Sequence, residues 1–238
     1  MSVQTLSGKV AIVTGGAGAL GAVLVGKLLA SGAAVAIPLH RDGLLPAPLR
    51  DVPSDRLLAA SADLTQESQV SAFVASVLGR WQRVDILVNA AGGYAGGRVV
   101  EEVSMSEWES MMSSNLQTAF LMSRAVLPAM RAQGFGRIIS IAAMGGLSPG
   151  ARRAPYQIAK RGVVTLTESI AEEVKGTGVT ANAIAPSIIL TEANKASMPG
   201  GDFSRWVRPE DIGALILYLC SREAGAISGN AIKIYGGV

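Results

Sequence analysis

Cysteine occurs once in the 238 residues, at position 220, so no internal disulfide can form and the fold must be held by packing. The bland reading of Cys220 is a buried helix residue. Aromatic residues make up only 5% of a chain that is 49% apolar, which leaves Ala, Val, Leu and Ile to fill the interior. That mixture suits parallel strands covered on both faces. There is no long basic run: 21 basic and 18 acidic residues leave a formal charge of +3, and no nucleic-acid partner is implied. Despite a mean hydropathy of +0.37, the longest uncharged stretch, 10–26, is broken by glycines and starts as a strand, so no membrane span is expected. No basic-then-apolar export signal opens the sequence, and a cytoplasmic location is expected. Internal repeats and low-complexity tracts are also missing, and no metal site is expected.

Strand-like and helix-like segments alternate instead along the whole length. Strands are expected near 9–14, 34–39, 57–61, 84–88, 136–142, 179–185 and 231–235, with helices between them. This order implies an α/β fold, a single doubly wound parallel sheet of about seven strands with helices on both faces, Rossmann-type. Residues 1–238 read as one domain, which at this length can bury a large core. Such sheets bind ligands beyond the carboxyl ends of their strands, where the strand order reverses. The proline-rich piece 44–53 reads as a surface loop, and Arg152-Arg153 as exposed residues at a helix start.

Two local patterns carry chemistry. Gly15, Gly16, Gly18 and Gly21 lie between the first strand and an apolar helix running from Leu20 to Ala30. Glycines there allow a tight turn and a close approach of the backbone to a pyrophosphate, whose charge sits on free N–H groups at the helix start. Far along the chain, Tyr156 and Lys160 stand four apart, on one face of a helix. An ammonium beside a phenol is expected to lower the phenol pKa and make it a usable proton donor near neutral pH. Thirteen residues before that tyrosine, where a hydroxyl would help it, stands Ala143.

With both patterns placed, the chain resembles the short-chain dehydrogenase/reductase superfamily over nearly its full length. Thr14-Gly15 with Gly21 is similar to that family's glycine signature, with Ala19 at its middle glycine. Asp63-Leu64 resembles the segment at the adenine edge, and Asn89-Ala90-Ala91-Gly92 the segment packed beside the cofactor. Asn115 precedes Tyr156 by the family's interval, and the resemblance implies that it supports a water relay to the lysine. Pro186 to Thr191, which includes Ile189, resembles the segment holding the nicotinamide amide, with Ser187 where glycine is usual. The resemblance thus implies Tyr156, Lys160 and Asn115 as catalytic residues. For the cofactor it implies NADP(H) or NAD(H), held by the glycine turn, Leu20, the 63–64 and 89–92 segments, Tyr156, Lys160 and the 186–191 segment. At the end of the second strand Leu39 replaces an acid that would select NADH, while His40 and Arg41 suit a 2′-phosphate, which leans the choice to NADPH.

A narrower resemblance is to dihydropteridine reductases, a branch of the same superfamily. The likeness lies at residues 15–21, including Ala19, and at 91–97, where Tyr94 stands between glycine pairs. It recurs at Met198-Pro199-Gly200-Gly201-Asp202-Phe203-Ser204-x-Trp206, which resembles a short substrate loop near 190–207. That branch also lacks the serine replaced here by Ala143. The resemblance implies hydride transfer to a flat conjugated substrate such as a quinonoid dihydropterin, with Ala143, Tyr94, Met198, Phe203 and Trp206 near it. Alternatives are a ketone or 3-oxoacyl thioester reductase, in which Ser148 could replace the missing hydroxyl, and a weakly catalytic sensor of nicotinamide. Helices near 104–133 and 154–176 correspond to those pairing across subunits in the superfamily, so a homo-dimer or homo-tetramer is expected.

Overall fold

The computed structural model describes residues 6–40 and 44–238. Seven strands form one sheet: β1 (Val10–Thr14), β2 (Ala34–Leu39), β3 (Leu57–Ser61), β4 (Ile86–Asn89), β5 (Gly136–Ile141), β6 (Val179–Pro186) and β7 (Ala231–Ile234). Every pairing is parallel, and the order is β3-β2-β1-β4-β5-β6-β7. The order reverses between β1 and β4, so the crevice lies at their carboxyl ends. This is the sheet expected from the alternating pattern.

Why β1 is apolar from Val10 to Val13 follows from its two neighbours in depth. Val10 and Ile12 belong to one apolar cluster, Ala11 and Val13 to another, as the strand's two-residue period requires. The first cluster is closed by α3 (Glu67–Trp81) and α5 (Thr118–Gln133) through Val74, Met122 and Met130. The second is closed by α1 (Ala19–Ala30) and α9 (Pro209–Leu219) through Leu24, Leu28 and Ile212. Each such aliphatic side chain contributes roughly 1.5–3 kcal/mol on burial, which holds the strand ends, and hence the site, in place.

Two local expectations are corrected. The segment 44–53 is not all loop: a single helical turn, α2 (Ala47–Arg50), buries Leu49 against the core. Second, the helix near 104–133 is not uniform. It runs as α4 (Met105–Met111), a π-helical segment Met112–Gln117, and α5. Such wide turns rotate the side chains that follow and are frequent at functional sites; Asn115 lies inside this one. Cys220 is buried as expected, at the carboxyl end of α9, where burial pushes its thiol up to about 12 and leaves it unreactive.

Candidate active site

Thr14 closes β1 at the switch point. Its hydroxyl oxygen accepts from the amides of Ala90 and Ala91, both at 3.0 Å, which ties the end of β1 to the segment after β4. Gly15 then turns with φ +65°, and a side chain there would meet Ala90 and Ala91 at 3.0 Å. Gly18 caps α1 with no side-chain hydrogen bond, and no acid stands in the first helical turn. The leading N–H groups of α1 are therefore open to an anion. Gly21 serves packing: a Cβ there would lie 2.0 Å from the Gly15 carbonyl oxygen and 2.7 Å from the Gly16 Cα. Both obstacles are backbone, so Gly21→Ala must lift α1 off the turn. The expected result is a loss of about 2 kcal/mol or more of stability together with nucleotide affinity weakened about tenfold or more. Thermal unfolding and a nucleotide titration read both; wild-type affinity in the variant would sink this account of the turn.

Beyond β4, Asn89 donates to the Ser123 and Ser140 hydroxyls at 3.1 and 3.2 Å, joining β4, β5 and α5. Its Oδ1 is buried without a hydrogen-bond partner among the described residues. Gly92 follows, and a Cβ on it would lie 2.5 Å from Asn115 Oδ1 and 3.3 Å from Lys160 Nζ. Asn115 is buried, accepts from the Gly93 amide at 3.3 Å and donates to the Met111 carbonyl at 3.1 Å. Its side chain thus holds the 92–93 loop, and Gly92 leaves a cradle in front of an amide and an ammonium.

Tyr156 and Lys160 both lie on α7 (Ala154–Glu173), whose start is set by Pro155 in the first turn. Lys160 is buried and donates to the Ile141 carbonyl at 2.9 Å; its Nζ lies 5.9 Å from the Tyr156 ring centre. Burial pushes its ammonium down to about 8. The half-buried Tyr156 is pushed up to about 12, first by burial and then by the neighbouring Tyr94. The expected lowering of the phenol pKa is therefore reversed. Desolvation outweighs the ammonium, whose nearest acceptor is a backbone carbonyl. Tyr94, still 64% exposed, packs its ring edge to face against Tyr156 at 5.0 Å and 78°.

Ala143 follows β5 in extended conformation and caps α6 (Met144–Leu147); it is buried, and Ser148 is exposed at the other end of α6. The remaining sequence expectations separate. Asp63 accepts from the Thr65 amide and hydroxyl at 2.9 and 2.7 Å, shaping the turn after β3, with Leu64 partly buried beside the core. Leu20 packs on the core at the start of α1. Pro186 ends β6, Ser187 donates to the Tyr235 carbonyl at 2.6 Å, and Ile189 bridges to Val207. Thr191 caps α8 (Glu192–Ser197) by accepting from Asn194 at 3.2 Å. His40 is exposed after β2, and Arg41 lies outside the described residues. Trp206 is only 7% exposed and packs against Phe203 at 4.8 Å. These two line a cavity of about 410 Å³ with Leu190, Arg205 and Gly236, and Tyr156 is not part of its wall. Trp206, expected near the substrate, packs inside its own loop, while Met198 stays half-buried at α8's far end.

One residue escaped sequence reasoning. Arg152 adopts φ +64°, accepts from the Gly97 amide at 2.7 Å and donates to the Gly97 carbonyl at 3.2 Å, pinning the 92–97 loop above Tyr156. A left-handed arginine leaves no mark in a single sequence.

A family profile described as short chain dehydrogenase matches residues 9–200. The chain belongs to the short-chain dehydrogenase family. It is an NAD(P)-dependent oxidoreductase. Among relatives, 3-oxoacyl-(acyl-carrier-protein) reductase of Vibrio cholerae is 32% identical, covering 99% of both chains. D-threitol dehydrogenase of Mycolicibacterium smegmatis is 33% identical, over 98% of this chain and 93% of the relative. Among solved structures, levodione reductase superposes with TM-score 0.89 at 29% identity, covering 97% of each chain. A structure of ElxO with NADP bound has TM-score 0.88 at 25% identity, covering 96% of this chain and 98% of that one. These relatives support the wider short-chain dehydrogenase family and favour its ketoacyl reductases over the dihydropteridine branch.

Proposed function

We propose that this enzyme reduces a carbonyl group, a ketone or a 3-oxoacyl thioester, with NAD(P)H as hydride donor and NADPH preferred. The observation that carries the reading is the meeting of Lys160 Nζ and Asn115 Oδ1 at side-chain-free Gly92, on the helix face that also bears Tyr156. The uncapped start of α1 and the Gly92 cradle fit a dinucleotide, with pyrophosphate at α1 and the nicotinamide end toward Gly92. A bound nicotinamide supplies the hydride. Tyr156 donates its phenolic proton to the substrate oxygen as charge develops there, and its high pKa keeps that proton in place at neutral pH. Lys160, still mostly charged at pH 7, places a cation beside the developing phenolate. Asn115 keeps the 92–93 loop in register and supports a proton path to Lys160.

Supporting the carbonyl reading, the Vibrio cholerae relative and levodione reductase are both named for carbonyl reduction. A serine at 143 would add a donor to the oxygen. Ala143→Ser is therefore expected to raise ketone reduction about tenfold or more, toward the 2.7–4 kcal/mol that one such donor supplies. An unchanged or lower rate counts against the carbonyl substrate.

A second reading, reduction of a quinonoid dihydropterin, is favoured by one observation: buried Ala143 offers no hydroxyl, while exposed Tyr94 presents an aromatic surface beside Tyr156. A conjugated ring spreads charge over several heteroatoms and asks less of one donor. Assay with NAD(P)H and fresh quinonoid dihydropterin against a 3-oxoacyl thioester decides between the two. The whole chain acts as one cytoplasmic oxidoreductase unit, with the 190–207 segment as its substrate loop. Phe120 on α5 and Ile158 on α7, 43% and 48% exposed, suit burial between subunits of a homo-dimer or homo-tetramer.

A further inference from the structure

At the amino ends of the strands, opposite the crevice that holds Tyr156, a second cavity of about 540 Å³ is walled by Lys9, Arg83, Phe135, Arg137 and Arg222. Four cations from separate segments share this one space. Asp85 answers two of them: its buried carboxylate takes Lys9 at 3.0 Å and Arg83 at 2.6 Å, and also accepts from the Val10 amide at 2.9 Å. Burial works against that charge, yet Arg83, the Val10 amide and Lys9 overcome it and hold the carboxyl below its usual range. One carboxylate thus faces two cations, and its oxygens are already engaged.

Neither of the other two cations has a buried carboxylate within 4 Å among the described residues. Arg137 is 4% exposed, and no carboxylate lies within 4 Å of it among the described residues. Its Nε and Nη1 donate to the carbonyls of Ser221, Gly136 and Gly178 at 3.3, 2.8 and 3.0 Å. No hydrogen bond engages Nη2 among the described residues, and it lies 3.6 Å from where a Cβ on Gly225, a wall residue, would stand. Arg222 is exposed on the rim, and its chain neighbour Glu223 is exposed outside the wall. The Phe135 ring lies between like charges, with Lys9 Nζ 3.8 Å and the Arg137 guanidinium 4.4 Å from its centre. Burying a guanidinium without a counter-charge is costly, and burial lowers the Arg137 pKa from its ordinary value. An anion entering this space would gain the unanswered charge of Arg137, its free guanidinium N–H and the rim charge of Arg222, which only the exposed Glu223 offsets.

We propose that this cavity binds a phosphate-bearing small molecule, its phosphate between Arg137 and Arg222 and the rest of it along Phe135 toward Lys9 and Arg83. A concave space of this volume among cations favours a compact dianion over a flat protein surface.

The test must not count phosphate bound where the cofactor sits. Calorimetric titration with inorganic phosphate and with pyrophosphate is therefore run on protein saturated with NADP. Pyrophosphate is expected to bind saturably with Kd below about 1 mM, more tightly than phosphate. Arg222→Gln is expected to weaken it about fivefold or more, and Gly225→Asp, which sets a carboxylate beside Arg137, to abolish it. NADP affinity should stay at the wild-type value in both variants, because both positions lie at the opposite strand ends from the nucleotide turn, and the thermal midpoint should stay unchanged in Arg222→Gln. No saturation by about 10 mM, or binding that both variants leave unchanged, overturns the site.

Discussion

Tyr156→Phe is expected to lower kcat/KM for reduction by about 10²–10⁴, the usual contribution of a positioned proton donor. Fold and nucleotide binding should survive intact. The phenol makes no hydrogen bond among the described residues, and its edge-to-face contact with Tyr94 involves only the rings. Removing the oxygen therefore costs the fold little, within about 0.5 kcal/mol. Steady-state kinetics beside a thermal melt and an NADPH titration separate these effects. Activity retained within a few-fold would leave the dinucleotide cleft intact but end the assignment of Tyr156 as proton donor, and would favour a sensor of nicotinamide.

Lys160→Met should cost about as much activity while leaving the protein as stable as before or more so. The ammonium is buried and pushed from 10.5 down to about 8. Because its folded pKa is depressed, the folded state holds fewer protons than the unfolded chain between those values. Stability therefore rises with pH through that window, and below about 8 the full penalty is present. A shift of this size corresponds to roughly 3 kcal/mol at neutral pH. Removing the charge relieves it, and the loss of the hydrogen bond to the Ile141 carbonyl takes back about 1–3 kcal/mol. The net is about 0–2 kcal/mol gained at pH 7, a rise in Tm of up to about 8 °C, with the advantage shrinking toward pH 10. A clear fall in Tm at pH 7 would show the ammonium to be a net stabiliser. In the wild-type enzyme the reduction rate should fall as pH rises through about 8, where Lys160 loses its charge while Tyr156 keeps its proton. A rate that stays level to pH 10 would remove that role from Lys160.

Much of the site was legible because its signals are local. A glycine turn between an apolar strand and an apolar helix states its geometry within about a dozen residues. The i, i+4 spacing of Tyr156 and Lys160 needs nothing beyond the helix period. Asn115 was singled out by the family resemblance, but the π-helical segment that turns it toward Gly93 was not legible, since it depends on what α4 and α5 pack against. Trp206 marks the same boundary from the other side. The string around it suggested a substrate contact, yet Phe203 and Gly201 close over its ring, a contact made by loop geometry.

By itself the order of apolar runs, glycines and turn residues determined the parallel sheet, a crevice where its strand order reverses, and the helix that carries Tyr156 and Lys160. Periodicity and short motifs act over a few residues, so they survive in a linear reading. Only the tertiary structure decided that Tyr156 is pushed up and Lys160 down, and that Arg137 and Arg222 face one cavity with Lys9 and Arg83. Those outcomes depend on desolvation and on charges brought together from distant segments, and neither quantity exists until the chain has closed on itself.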